Sequence, residues 1–140
     1  MNHLVFLDPH TGELEKILSG VKTMLVKDYD PFDAISHPVN PGDSLYFLKN
    51  EEKCTLRVKA VVVRVLCLRN NLDEDLSHAL KELQPKLLLT EDQYNYWSTK
   101  QAILLVEFGA ADKIPLIEIY QEKVKDRSDW IPFEEFSCIT

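Results

Sequence analysis

The chain has 140 residues, of which 45% are hydrophobic and 28% charged, and it carries a formal net charge of −7. These totals are typical of one globular domain with a single core. They exclude a disordered chain and, because no apolar run approaches roughly 20 residues, a membrane-spanning helix. The excess of acidic residues argues against nonspecific binding to nucleic acid, which depends on neutralising phosphates.

The first predicted elements are a strand, a short helix and an extended segment. Leu4–Leu7 is apolar and predicts the strand. The helix is predicted over roughly Glu13–Ser19, and Gly20 follows it where a helix end favours a residue that tolerates positive φ. The extended segment runs over residues 21–27. Lys22 therefore follows the turn directly, and we expect its ammonium to face a ligand.

A tight turn and a long bent strand are predicted next. Residues 28–41 carry three prolines and predict a long loop, whose end, Asn40-Pro41-Gly42-Asp43, is a turn that opens a strand over Ser44–Lys49. After a hairpin connection, Cys54–Leu68 is rich in β-branched residues and predicts one bent strand. Its polar phase changes partway, so we expect a β-bulge near Ala60.

Two helices are predicted in the second half. One follows Asn71 and ends before Pro85. The other begins at Thr90, and Gln93, three residues later, completes a capping box. Both helices would form an insertion between strands.

The remaining elements are two strands, at 101–108 and 116–120, and an irregular C-terminal wrap over 121–140 in which Trp130 and Phe133 dock on the sheet. The resulting order, β-α-β-β-β-α-α-β-β, lacks the alternation of a doubly wound sheet. It favours an α+β fold: a small mixed β-barrel of about six strands with a short N-terminal helix and a two-helix insertion, in one domain over 1–140.

The cysteines and histidines form no metal-binding pattern. Three widely spaced cysteines and four scattered histidines lack the close pairs of a zinc site or a disulfide framework. We therefore expect no metal and no cofactor. Since Met1 begins no basic region of an export signal, the cytoplasm is the expected location.

Positive charge is concentrated in one part of this acidic chain. Between Gly20 and Asn70, eight cations face six acidic residues, a local net charge of +2. Such an uneven distribution focuses an electric field. The predicted ligand-binding set combines cations that could line one surface with aromatic side chains that could stack on a base. Its members are Gly20, Lys22, Lys27, Tyr29, Lys49, Arg57, Lys59, Arg64 and Trp97.

Two segments resemble the ASCH domains, a branch of the PUA-like superfamily. In that family a helix ends in Gly-x-Lys, and a basic residue, normally arginine, follows five residues after the lysine. Gly20, Lys22 and Lys27 match this pattern, with lysine in the last place. Gly42-Asp43 matches the family's turn before an apolar strand. The order of elements agrees over roughly Val5–Tyr120.

The resemblance implies a PUA-like barrel whose cleft, beside the helix-to-strand turn, binds RNA or a nucleotide-like ligand. One bacterial branch similar in this segment hydrolyses N4-acetylcytidine with the motif lysine, a threonine three residues later and a distant glutamate. Lys22 matches the lysine, Leu25 occupies the threonine position, and Glu107 is a guess for the glutamate.

Three functions therefore stay open. The first is an RNA- or nucleotide-binding module that uses the predicted ligand-binding set. The second is a hydrolase of a modified nucleoside with Lys22 as its catalytic residue. The third is a protein-interaction or regulatory module whose acidic C-terminal half contacts a basic partner. The acidic residues in question are Glu118, Glu122, Asp126, Asp129, Glu134 and Glu135.

Overall fold

The computed structural model describes residues 2–7, 12–28, 39–49, 55–70, 76–109, 111–118 and 130–133. Its strands are β1 (Asn2–Leu7), β2 (Met24–Asp28), β3 (Ser44–Lys49), β4 (Thr55–Arg69), β5 (Ala102–Phe108), β6 (Asp112–Glu118) and β7 (Trp130–Phe133). Its helices are α1 (Glu13–Leu18), α2 (Leu76–Glu82), α3 (Gln84–Leu87) and α4 (Glu91–Ser98). None of the helices in this part of the chain is long and apolar enough to span a membrane.

The strands form one mixed, curled sheet. Their order is β2-β5-β4-β3-β1-β7, and β6 lies beside β4. β1 pairs in parallel with β3, and the other pairings are antiparallel. The curl makes half of a barrel, which confirms the predicted α+β barrel fold, with seven described strands in place of about six.

The longest strand, β4, joins the two halves of the sheet. Its first part pairs with β3 and β6, and its second part pairs with β5. The register against β5 shifts between Val62 and Arg64, so a bulge lies there, slightly beyond the predicted position near Ala60. As a result Val63 and Arg64 are both exposed although they are consecutive in a strand.

Two core clusters lie on opposite faces of the sheet. The first core cluster draws on β1 to β5 and on α1, so it fills the inside of the curl. The second core cluster lies between the other face and the inserted helices. On β2, Leu25 belongs to the first cluster and Met24 to the second, as the alternation of side chains along a strand requires.

The insertion contains three helices where two were predicted. Thr90 and Gln93 form the expected capping box at the start of α4. The additional helix is α3, and Pro85 stands in its first turn. Proline is compatible with that position because the first N–H groups of a helix have no partner within it. Pro85 therefore starts a new helix and does not only end the previous one.

The C-terminal segment also differs from its prediction. Residues 130–133, predicted as irregular, form β7, which pairs antiparallel with β1. Trp130 packs against the first core cluster, as expected for a docked aromatic side chain. The rest of the predicted wrap lies outside the described residues.

Gly20 ends α1 in a Schellman motif. The amide of Val21 donates to the Lys16 carbonyl oxygen at 3.1 Å, and the amide of Gly20 donates to that of Ile17 at 3.1 Å. Gly20 has a φ of 83°, as the motif requires at this position. The predicted helix end is therefore confirmed, and it sends the chain directly into Lys22.

The turn before β3 is also of the predicted kind. The amide of Asp43 donates to the Asn40 carbonyl oxygen at 3.1 Å, with Pro41 and Gly42 between them. Gly42 has a φ of 94°, so the turn is of type II, with proline and glycine at their preferred positions. The Asp43 carboxylate accepts a hydrogen bond from the amide of Asn40 at 3.0 Å, which fixes its position.

Replacing Gly20 by alanine is expected to lower the free energy of unfolding by about 1 kcal/mol, because a side chain is strained at positive φ. No atom outside the neighbouring residues lies within 4 Å of the added Cβ, so crowding does not contribute. Gly109→Ala is the matched control, since its Cβ would meet Val63 at an ordinary 3.7 Å. Urea denaturation measures both variants, and equal stabilities would contradict the role of Gly20.

Candidate site at the junction of the first helix and the insertion

Lys22 is buried, contrary to the expectation that it faces a ligand. Its side chain is 1% exposed, and its ammonium donates a hydrogen bond to the carbonyl oxygen of Leu87. The Lys22 Nζ lies 3.7 Å from Oε1 of Glu13. The physical reason is that α3 packs over the turn, where the amide of Thr23 also donates to the carbonyl oxygen of Lys86 at 3.1 Å.

Burial sets the protonation of Lys22. Desolvation lowers the pKa of its ammonium, and the nearby Glu13 carboxylate offsets part of that effect. Glu13 also accepts a hydrogen bond from Gln93 of α4, with 3.4 Å between Nε2 and Oε1. Lys22 and Glu13 thus connect α1 to two helices of the insertion. We call these two residues the Lys22–Glu13 pair.

A second group of charges lies beside this pair and is open to solvent. Glu107 of β5 accepts from Lys86 of α3 at 2.6 Å and lies 3.3 Å from Nε of Arg64 on β4. The Lys86 and Arg64 side chains are 45% and 47% exposed, whereas that of Glu107 is 18% exposed. We call these three residues the Glu107 cluster. Its net charge is +1, with both cations on the accessible side.

The backbone brings the pair and the cluster together. Lys86 and Leu87 are consecutive in α3, so one short helix supplies a cation to the Glu107 cluster and a carbonyl oxygen to Lys22. Glu107 is also the register partner of Met24 in β2, two residues after Lys22. Lys22, Arg64 and Glu107 from the sequence analysis therefore lie around one junction. The carboxylate paired with Lys22 is nevertheless Glu13.

Lys27 points to the other side of the sheet. It follows Leu25 of the first core cluster by two residues, so the two share a strand face, whereas Lys22 contacts the second cluster's Leu87. Lys27 is partly buried, and desolvation lowers the pKa of its ammonium. The structure thus separates the two lysines that the sequence analysis assigned to one site.

Two other predicted ligand residues take part in packing. Lys59 extends over the ring of Tyr46, with its Nζ 5.7 Å from the ring centroid. Trp97 packs against the second core cluster and meets Tyr96 edge-on, with centroids 5.0 Å apart. Neither residue has a described contact with the Lys22–Glu13 pair or the Glu107 cluster.

The remaining predictions fall where less is described. Tyr29 lies outside the described residues, and at Lys49 and Arg57 only the backbone is described. The same holds for the proposed acidic contact surface, of which only the backbone of Glu118 is described. Among the side chains that the structure describes, no group of three or more histidine, cysteine, aspartate or glutamate residues could hold a metal ion.

Sequence reasoning missed Glu13 and Lys86 because their contacts depend on how α1 and α3 pack in the folded chain. Lys86 contacts a residue 21 positions later. No local pattern predicts such a contact, and the only available signal was the alternation along β5. Glu107 interrupts an otherwise buried apolar strand, and this isolated charge requires a partner.

Replacing Lys22 by methionine is expected to lower the free energy of unfolding by about 2 kcal/mol, because the Leu87 carbonyl and the Glu13 carboxylate lose their internal donor. Lys81→Met, at an exposed position of α2, is the control and should change stability by less than about 0.5 kcal/mol. Urea denaturation provides the measurement. A Lys22→Met protein as stable as the control would rule out a stabilising pair.

Known structures share this architecture. No protein-family model matches the chain, and no curated protein sequence does. The structure is similar to the ASCH protein of Zymomonas mobilis, ZmASCH, with a TM-score of 0.67 and 14% identity over 99% of this chain and 96% of that chain. A mutant of ZmASCH gives the same TM-score and identity over 99% of both chains. The hypothetical protein PH0355 gives a TM-score of 0.51 and 17% identity over 81% of this chain and 100% of that chain. The chain therefore has the fold of the ASCH domains, as the resemblance in its sequence implied.

Proposed function

We propose that the chain is an RNA-binding module and that Arg64 and Lys86 of the Glu107 cluster contact the phosphates. The ASCH fold supports a nucleic-acid-related role at the level of the fold family. The observation that carries the proposal is the convergence of two half-exposed cations, from a strand and a helix, on one carboxylate. Glu107 holds both cations in place, so less conformational entropy is lost when a phosphate binds.

In this proposal Lys22 has an indirect role. Its ammonium already donates to the Leu87 carbonyl and faces Glu13, so it holds α3, and with it Lys86, against the sheet. The direct contacts belong to the two cations that remain accessible. In this assignment Arg64 and Lys86 take the role that the sequence analysis expected of Lys22. The proposed ligand still lies beside the turn that follows α1.

The strongly acidic chain limits the affinity that two cations can supply. For single-stranded RNA each phosphate contact contributes a slope of about −0.7 in log K against log salt concentration. Two contacts therefore predict a slope of about −1.4, or a loss of roughly sevenfold in affinity between about 50 and 200 mM salt. Such binding is moderate and suits recognition of a short segment.

The test is fluorescence anisotropy with a labelled single-stranded RNA of about ten nucleotides. Arg64→Gln and Lys86→Gln are each expected to weaken binding by about fivefold and to reduce the salt slope by about 0.7. Arg69→Gln, exposed on the same strand as Arg64, and Lys81→Gln, exposed on α2, are the matched controls. Equal effects of the cluster variants and the controls, or binding that ignores salt, would refute the proposal.

One observation favours a second candidate, a hydrolase of an acylated nucleoside. That reaction needs a lysine of lowered pKa in a dry environment beside a carboxylate, and Lys22 beside Glu13 meets this description. Leu25, at the position of the threonine, is buried in the first core cluster and supplies no hydroxyl.

Incubation with a panel of N-acylated nucleosides tests the second candidate. If the chain is an enzyme, the wild type should release the deacylated nucleoside. The Lys22→Met and Glu13→Gln proteins should not release it, at a temperature where circular dichroism confirms that they are folded. Product formation that does not differ between the wild type and Lys22→Met would remove this candidate.

A further inference from the structure

Tyr96 is an exposed aromatic side chain on α4. The residue is 52% exposed, and it carries the only aromatic ring among the large hydrophobic residues that are exposed in the described part of the chain. Its neighbour Trp97, the stacking residue expected from the sequence, packs against the second core cluster instead. The helix therefore directs one ring towards the core and the next ring towards solvent, where a ligand can reach it.

Lys100 and Trp97 restrain the Tyr96 ring. The Lys100 ammonium lies over this ring, with its Nζ 4.5 Å from the centroid. The Trp97 ring meets it at an interplanar angle of 76°, with the centroids 5.0 Å apart. A cation over an aromatic ring and an edge-on pair of rings are both attractive contacts. The exposed ring is therefore pre-organised, and a ligand that stacks on it loses little conformational entropy.

Lys100 is itself anchored at both its backbone and its side chain. Its amide donates to the Trp97 carbonyl oxygen at 3.2 Å, and its carbonyl oxygen accepts from the side-chain amide of Asn70 at 3.4 Å. Its Nζ lies 3.4 Å from Oδ1 of Asp28, at the end of β2. The ammonium thus lies between a ring and a carboxylate, and the charges of Lys100 and Asp28 cancel. The two together leave the surface beside Tyr96 without a net charge.

We propose that Tyr96 is a stacking platform for a base of single-stranded RNA. This inference rests on the proposed function, because it adds a base contact to the phosphate contacts of Arg64 and Lys86. A base is flat and uncharged, so it suits an exposed ring whose neighbouring charges are balanced. A phosphate requires an excess of positive charge, which the Glu107 cluster has.

The stacking platform and the Glu107 cluster lie on the same side of the sheet. Glu107 is the register partner of Met24, which belongs to the second core cluster, and α4 packs on that cluster through Trp97. Strand β5 begins at Ala102, two residues after Lys100. From there Glu107 is roughly 17 Å further along the strand, at about 3.3 Å per residue. An RNA strand that follows β5 would therefore meet the two cations at one end and the ring at the other.

The two kinds of contact differ in their dependence on salt. A phosphate contact releases counterions, so its contribution to affinity falls as the salt concentration rises. Stacking of an uncharged base releases none. We therefore expect Tyr96→Leu to weaken RNA binding without a change in the salt slope, whereas Arg64→Gln and Lys86→Gln reduce that slope.

Fluorescence anisotropy with two labelled decamers tests the platform. One is decauridylate, and in the other a stable abasic sugar replaces every nucleoside, so that both strands have the same phosphates. The wild type should bind decauridylate at least about fivefold more tightly than the abasic strand. Tyr96→Leu should lose this preference, and Tyr96→Phe should keep it, because stacking uses the ring and not the hydroxyl.

Asn95→Leu is the matched control, since it places the same side chain at the neighbouring exposed position of α4. Equal affinity of the wild type for both strands, or equal binding by Tyr96→Leu and Asn95→Leu, would overturn the platform. A loss of the same size for both strands in Tyr96→Leu would overturn it too, since the abasic strand has nothing to stack. In each case a reduced salt slope in Arg64→Gln would still support the proposed function. Conversely, a base preference that depends on Tyr96, with no effect of Arg64→Gln or Lys86→Gln, would support the platform and refute the proposed phosphate contacts.

Discussion

The burial of the Lys22 ammonium is the constraint on which the arrangement of the site depends. A charged group inside a protein must be paired or hydrogen-bonded, because desolvation otherwise costs several kcal/mol. Lys22 meets this requirement with a carbonyl oxygen of α3 and a carboxylate of α1. Both partners come from helices, so the same interaction holds the insertion against the end of the first helix and sets which cations remain at the surface.

The positions of Lys22 and Lys27 relative to β2 explain why the molecule has two charged regions. Lys22 precedes the strand and contacts Leu87 of α3, whereas Lys27 lies on the strand and shares a face with Leu25. One lysine therefore contacts the inserted helices, and the other faces the inside of the curled sheet. The bulge in β4 has a related effect, because it brings Arg64 to the exposed surface opposite Glu107 while Val62 stays in the first core cluster.

The sequence predicted the features that depend on local chemistry. Gly20 was recognised from the need for positive φ, and Thr90 with Gln93 from the reciprocal bonds of a capping box, since each signal lies within a few residues. The burial of Lys22 could not be predicted, because it depends on Leu87, which is 65 positions away. Helix α3 was missed for a different reason: it has only four residues, too few for an apolar periodicity to emerge.

Carboxylates hold several of the described cations in place, and in the proposed function two of these fixed cations would contact RNA. A net charge of −7 repels a long polyanion, so in that proposal the affinity for RNA comes from short-range contacts with fixed groups and not from a diffuse field. Glu107 orients two cations at the surface, and Asp43 orients the imidazole of His3 inside the curl. Both the Glu107 and the Asp43 carboxylates reduce the local positive charge, but they fix the positions of the hydrogen-bond donors that they contact. For the proposed RNA binding, such an arrangement would favour discrimination over general affinity, because a phosphate would bind only where its oxygens match donors that are already in position.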